Sequence, residues 1–151
     1  MSTYEAPTLE KLIGEWENDA KIDTTDAGME MIRIPLLHSK YNKYLSLHKL
    51  AIARREAELY RLRKQKWMYY SGKLSQEELA NLGWEQFPFL LKTDMSIFMD
   101  GDIDIQKIGA QITIHEECVS FCTYVMKELA SRTYQIKEWM AWERFTGGHG
   151  K

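Results

Sequence analysis

Apolar residues recur along two long stretches of the chain at spacings of three and four. In the first, Leu37, Tyr41, Tyr44, His48, Ile52, Leu59, Leu62 and Tyr69 form one stripe on a helix of 3.6 residues per turn. Pro35 stands where a first-turn proline is tolerated, and Gly72 after Ser71 is a natural stop. The pattern predicts a helix over 36–71, about 50 Å long at 1.5 Å rise per residue. The second series runs Ile105, Ile108, Ile112, Cys118, Val119, Cys122, Met126, Leu129, Ile136, Met140 and Phe145. It predicts a helix over 104–146, about 60 Å long, with Asp104 as its N-cap or first-turn acid.

Shorter elements fill the rest. "TLEKLIGEW" from Thr8 to Trp16 has the form of a short capped helix, and "IDTTD" at 22–26 breaks the chain before another short helical piece, within an acidic segment 1–34. In the connector 73–103, Ser75 and Glu78 of "SQEEL" have capping-box spacing, Pro88 interrupts "WEQFPFLLK", and "TDMSIFMD" has room for another turn or two of helix. The expected fold is all-α, a single domain over 1–151 built as a long antiparallel helical hairpin with short N-terminal and connector helices. Leu45, Leu47, Leu50, Ala51 and Ala53 lie outside the stripe of the first long helix, more apolar surface than one neighbouring helix covers. Self-association into a homo-oligomer of closed cyclic symmetry is the expected remedy.

Charge changes this picture most. The 151 residues sum to a formal charge of −2, yet residues 1–32 carry −6, residues 33–73 carry +9 and residues 74–151 carry −5. Such segregation marks a polyanion-binding element, a solvated helix face, or a charge match to the acidic flanks of neighbouring subunits. The acidic start resembles no signal peptide, and no stretch has the length and apolarity of a membrane span, so a soluble, intracellular protein without membrane contact is expected.

Candidate catalytic and metal chemistry is thin. Asp100, Asp102 and Asp104 open like a calcium loop, but Ile105 and Gln111 occupy the positions that need Gly and Glu. His115, Cys118 and Cys122 share a helical face without the second ligand pair that a structural zinc site requires. The cysteines read as buried, reduced thiols. No phosphate-binding loop, metalloprotease or nucleophile-elbow motif occurs, and His38, His48, His115 and His149 lack a nucleophile partner by spacing. The expectation is a protein that is not an enzyme and uses neither cofactor nor metal.

What remains is the basic helix. At 100° per residue, Lys43, Arg54, Arg61 and Lys64 point away from the apolar stripe, while Arg63 and Lys66 lie nearer to it, close to Tyr70 and Lys73. Cations that track a backbone, interleaved with aromatic rings, suit a single strand held without sequence preference. These eight residues are the candidate DNA contacts. Trp67, Tyr69 and Tyr70 serve either to stack on bases or to pack in the core.

The pattern formed by Lys64, Lys66, Tyr69, Tyr70, Ser71 and Gly72 resembles that of the UvsY family of phage recombination mediators. The likeness extends to "LEKL" at Leu9, to Ile22–Thr25, to "HSKYNK" at 38–43 and to "SRTYQIKEWMAWERF" from Ser131 to Phe145. It implies a helical protein that forms a ring of identical subunits and acts in the cytoplasm of the infected host cell. There it would bind single-stranded DNA and promote loading of the phage recombinase onto strands covered by single-strand-binding protein. A Lys-x-Arg pair tied to DNA binding in that family falls on Lys64 and Lys66, where lysine replaces the arginine: charge is kept and the planar fork is lost. The resemblance implies no catalysis or cofactor in this chain, since the recombinase hydrolyses the ATP. The alternative is an oligomeric helical scaffold or assembly adaptor with no nucleic-acid role.

Overall fold

The computed structural model describes residues 5–88 and 91–148, and every regular element among them is helical. Five α-helices follow in order: α1 (Leu9–Asp19), α2 (Ala27–Tyr70), α3 (Gln76–Leu82), α4 (Met95–Asp100) and α5 (Ile103–Gly148), with a 3₁₀ turn at Lys92–Asp94. His149 lies outside the described residues. The chain divides into two compact units, one of Met1–Leu50 with Ile114–Lys151 and one of Ala51–Thr113.

The first long helix starts earlier than its apolar stripe. Asp26 caps α2 through Met29 N at 3.2 Å, and Pro35 lies well inside the helix rather than in its first turn. A proline there removes one backbone hydrogen bond and costs about 3 kcal/mol. Anchors on both sides hold the helix through it: Arg33 pairs with Glu30 and Asp19 before the proline, and Leu37 and Tyr41 are buried after it. The "IDTTD" break is real, since Asp23 accepts hydrogen bonds from both the backbone and the hydroxyl of Thr25. The helical piece that follows it is continuous with α2.

In the first unit, α1, the N-terminal part of α2 and the C-terminal part of α5 share a core. Thr8 caps α1, and its i, i+4 pair Leu12 and Trp16 faces inward. Trp16, Leu37, Tyr41, Val125 and Leu129 form one cluster, while Leu12 packs with Cys118 and Cys122. Here α2 and α5 run antiparallel: Leu37 and Tyr41 cluster with Val125 and Leu129, whereas His48 meets His115. Both cysteines are buried and reduced, and burial raises both thiol pKa values, that of Cys122 to about 11. Arg132, 4% exposed, donates to the carbonyls of Asp19 (3.0 Å) and Ala20 (2.9 Å) and lies over the Trp16 ring. It closes the C-terminus of α1, where unpaired carbonyls and the helix dipole favour a cation. The periodic series missed Arg132 and Val125, and Phe145, assigned to the stripe, is exposed.

In the second unit, α2 ends in a left-handed glycine. Gly72 has φ +74°, and Lys73 N bonds back to Met68 O at 2.8 Å, a turn closed as glycine permits. The Ser75–Glu78 capping box starts α3, and Gly83 ends it. Asp102, rather than Asp104, caps α5: its Oδ1 accepts from Asp104 N (2.9 Å) and Ile105 N (3.1 Å).

Candidate nucleic-acid interface

Within the second unit the last turns of α2 separate into two faces. At 100° per residue, Leu59, Leu62, Lys66, Tyr69 and Tyr70 fall on one half of the helix, and Arg54, Tyr60, Arg61, Arg63, Lys64 and Trp67 on the other. Every residue of the second set is exposed. Arg54, Arg61, Arg63 and Lys64 have no ion-pair partner among the described residues. Their neighbour Arg55 does, bonding Glu58 at 3.0 Å. Lys73, just past the helix, is exposed with its Nζ 4.3 Å from the centre of the Trp67 ring. The face therefore interleaves unneutralised cations with aromatic surface. Lys43, in the first unit, is likewise exposed and without an ion-pair partner among the described residues, whereas Arg33 and Lys40 of that unit are tied to Asp19.

Lys66 and Tyr70, counted among the candidate contacts, are engaged in another way. Lys66 is 6% exposed, with its Nζ 2.8 Å from Asp104 Oδ2 and 3.1 Å from Asp102 Oδ2. Tyr70 donates to the same Asp102 Oδ2 at 2.6 Å. Burial works against the Lys66 charge, but hydrogen bonds to Asp104 and Asp102 outweigh it and hold the ammonium pKa above the ordinary lysine value. Burial likewise opposes the Asp102 carboxylate, and the bonds from Tyr70, Ile105 N and Lys66 keep its pKa low all the same. The node bolts the end of α2 to the start of α5, with the Lys66 charge engaged by two carboxylates. The physical reason is helical geometry: Lys64 and Lys66, two positions apart, stand about 200° apart around the axis, so they cannot share one face.

The aromatics divide along the same line. Tyr69 and Tyr70 join Trp84, Phe87 and Phe98 in a ring cluster, with Tyr69 Oη donating to Glu85 O at 2.8 Å and Lys66 Nζ 4.3 Å from the Trp84 ring centre. Trp67 stays 43% exposed and Tyr60 71% exposed. The sequence alone left Trp67 open between stacking on bases and packing in the core and did not single out Tyr60, although their i, i+7 spacing beside Arg63 and Lys64 was a readable sign.

No group of three metal-ligating side chains converges among the described residues, and no helix there is long and apolar enough to cross a membrane.

This is an all-α protein that presents a cationic, aromatic helix face to solvent. The chain belongs to the UvsY family: residues 15–149 match the family described as recombination, repair and ssDNA binding protein UvsY. It is 28% identical over 141 residues to the recombination protein uvsY of Enterobacteria phage T4, covering 93% of this chain and 98% of that one. Its fold is similar to crystal structures of the bacteriophage T4 recombination mediator protein UvsY in two lattice types. One has a TM-score of 0.80 at 25% identity over 93% of this chain and 98% of the other; the second has 0.79 at 25% identity over 90% and 98%.

Proposed function

We propose that this protein is a recombination mediator that holds single-stranded DNA, without sequence preference, against the exposed face of α2. The observation that carries the reading is the contrast between Arg54, Arg61, Arg63 and Lys64, which are exposed and unpaired among the described residues, and Arg33, Lys40, Arg55 and Lys66, which all have carboxylate partners. Spare cations beside Tyr60 and Trp67 offer a strand both phosphate neutralisation and ring faces. Lys43 and Lys73 extend the set of cations.

The mediator role rests on the family and on the T4 relative. In this reading the protein, in the cytoplasm of the infected cell, presents the strand so that the phage recombinase loads where single-strand-binding protein had covered it. It does so as a ring-like homo-oligomer. Ile114, Tyr124, Tyr134 and Trp142 of α5, all more than half exposed, support that assembly, because apolar side chains of this size are usually covered in self-associating helical proteins. Repeating the cationic face around a ring multiplies weak contacts on one strand.

The test is titration of the protein with an unstructured oligonucleotide at several salt concentrations, for the natural sequence and for Arg61→Ala with Lys64→Ala. The reading requires weaker binding and a shallower salt dependence in the double variant. Equal slopes for the two proteins would refute it.

A further inference from the structure

Beside the cationic face, within the second unit, α2, α3 and the link between them border an open cleft of about 430 Å³. That is within the size range of small-ligand sites. Met68 and Leu74, both half-buried, and Leu82, 37% exposed, supply its apolar lining. Arg61 and Lys64, two of the unpaired cations, line the same space. The remaining lining side chains are chemically specific. Gln65 and Asn81 each bring an amide, which donates and accepts hydrogen bonds, and Glu78 brings a carboxylate held in place by the backbone N–H of Ser75 at 3.1 Å.

We infer that this cleft is a nucleobase subsite, in which one unpaired base of a bound strand enters between Met68, Leu74 and Leu82 while its flanking phosphates lie on Arg61 and Lys64. The inference rests on the strand-binding reading above and adds to it a place for the base. A base has flat apolar faces and a rim of hydrogen-bonding groups; the apolar lining suits the faces, and the two amides and the carboxylate suit the rim. An exocyclic amine of adenine, cytosine or guanine would donate to Glu78, and the amides would take either carbonyls or ring nitrogens. An acidic peptide would bring its own carboxylates against Glu78, whereas a base is uncharged and its phosphates reach Arg61 and Lys64. Because amides pair with every base in one orientation or another, the subsite stays tolerant of sequence. It differs from stacking on Trp67 or Tyr60, since those rings meet only a base face.

Two measurements on the full chain test this. The first compares affinity for an oligothymidylate with affinity for a strand of the same length made of abasic sites. The natural protein should prefer the strand with bases, and Asn81→Ala with Leu82→Ala should reduce that preference by about tenfold, with the salt slope unchanged. An unreduced preference overturns the subsite. Both residues are exposed, and the second measurement needs no variant at all. A strand carrying 4-thiothymidine is photocrosslinked to the natural protein and the adducts are mapped. Adducts on Gln65, Met68, Leu74, Glu78, Asn81 or Leu82 support the subsite; adducts confined to residues other than these six overturn it and leave strand binding intact. Failure to bind either strand would instead overturn the strand-binding reading and the subsite with it.

Discussion

Lys66 Nζ lies 2.8 Å from Asp104 Oδ2, inside the second unit, while Lys64, two residues earlier on the same helix, is exposed with no carboxylate partner among the described residues. Two lysines that look equivalent in the sequence therefore have different physical jobs. One pairs with buried Asp102 and half-buried Asp104; the other has its charge to spare.

Replacing each lysine separates these jobs. Lys66→Ala leaves buried Asp102 without its counter-charge and should cost about 3 kcal/mol of stability, read as a lower urea midpoint. Lys64→Ala should leave the midpoint within about 0.5 kcal/mol of its original stability and flatten the salt dependence of single-strand binding by about 0.7 in logarithmic slope. A Lys66→Ala protein of natural stability that nevertheless shows the flatter slope would reverse the assignment.

The aromatic pair Trp67 and Tyr70 divides in the same way. Trp67→Ala should weaken single-strand affinity by about 1–2 kcal/mol, with no change in salt slope, because it removes a ring face and no charge. Tyr70→Phe keeps its place among Phe87 and Phe98 but loses the 2.6 Å bond to Asp102, at a cost of about 1.5 kcal/mol in stability and none in affinity. Titration and urea unfolding of both variants decide the point, and an affinity loss for Tyr70→Phe at unchanged stability would count against it.

Arg132 governs the seating of α1. Arg132→Lys keeps a cation but cannot reach two carbonyls with one planar fork, so a loss of about 1–2 kcal/mol is expected, and Arg132→Ala should lose about 3 kcal/mol. If Arg132→Lys unfolds at the natural urea concentration, the charge at the end of α1 matters and the paired geometry does not.

His48 makes stability depend on pH. Its Nδ1 lies 2.9 Å from Nδ1 of His115, and its side chain is fully enclosed. Burial first, and the neighbouring His115 second, lower its pKa below the ordinary 6.5. The folded state therefore holds His48 neutral where the unfolded chain would take up a proton. Its stabilising contribution is fully present above pH 6.5 and is lost as pH falls from there toward the depressed folded value. Asp19 and Asp102, also held low, act in a separate window below their ordinary value of 3.8. The urea midpoint should be flat between about pH 7 and 8, decline between about pH 6.5 and 5, and lose most of that decline in His48→Gln. A midpoint independent of pH across that range would rule out the mechanism.

The sequence by itself determined that two long helices form, apart from where the first begins, and which stripe of each faces inward. A repeat of three and four has one geometric meaning, so the stripe from Leu37 to Tyr69 and the series from Ile105 to Met140 were legible before any coordinates. So were the Ser75–Glu78 box and the stop at Gly72, whose chemistry is complete within a few residues. The concentration of positive charge in residues 33–73 was also plain. Tertiary structure alone decided which of those charges are spare. Lys66 is neutralised by Asp102 and Asp104, and Arg132 closes a helix formed by residues near the other end of the sequence; no local pattern encodes partners so distant. Pro35 passed through the interior of α2 for the same reason, because packing on both of its sides outweighs a local penalty. Periodicity assigns a residue to a face, but whether a cation on that face is bound or free depends on what the rest of the chain places against it.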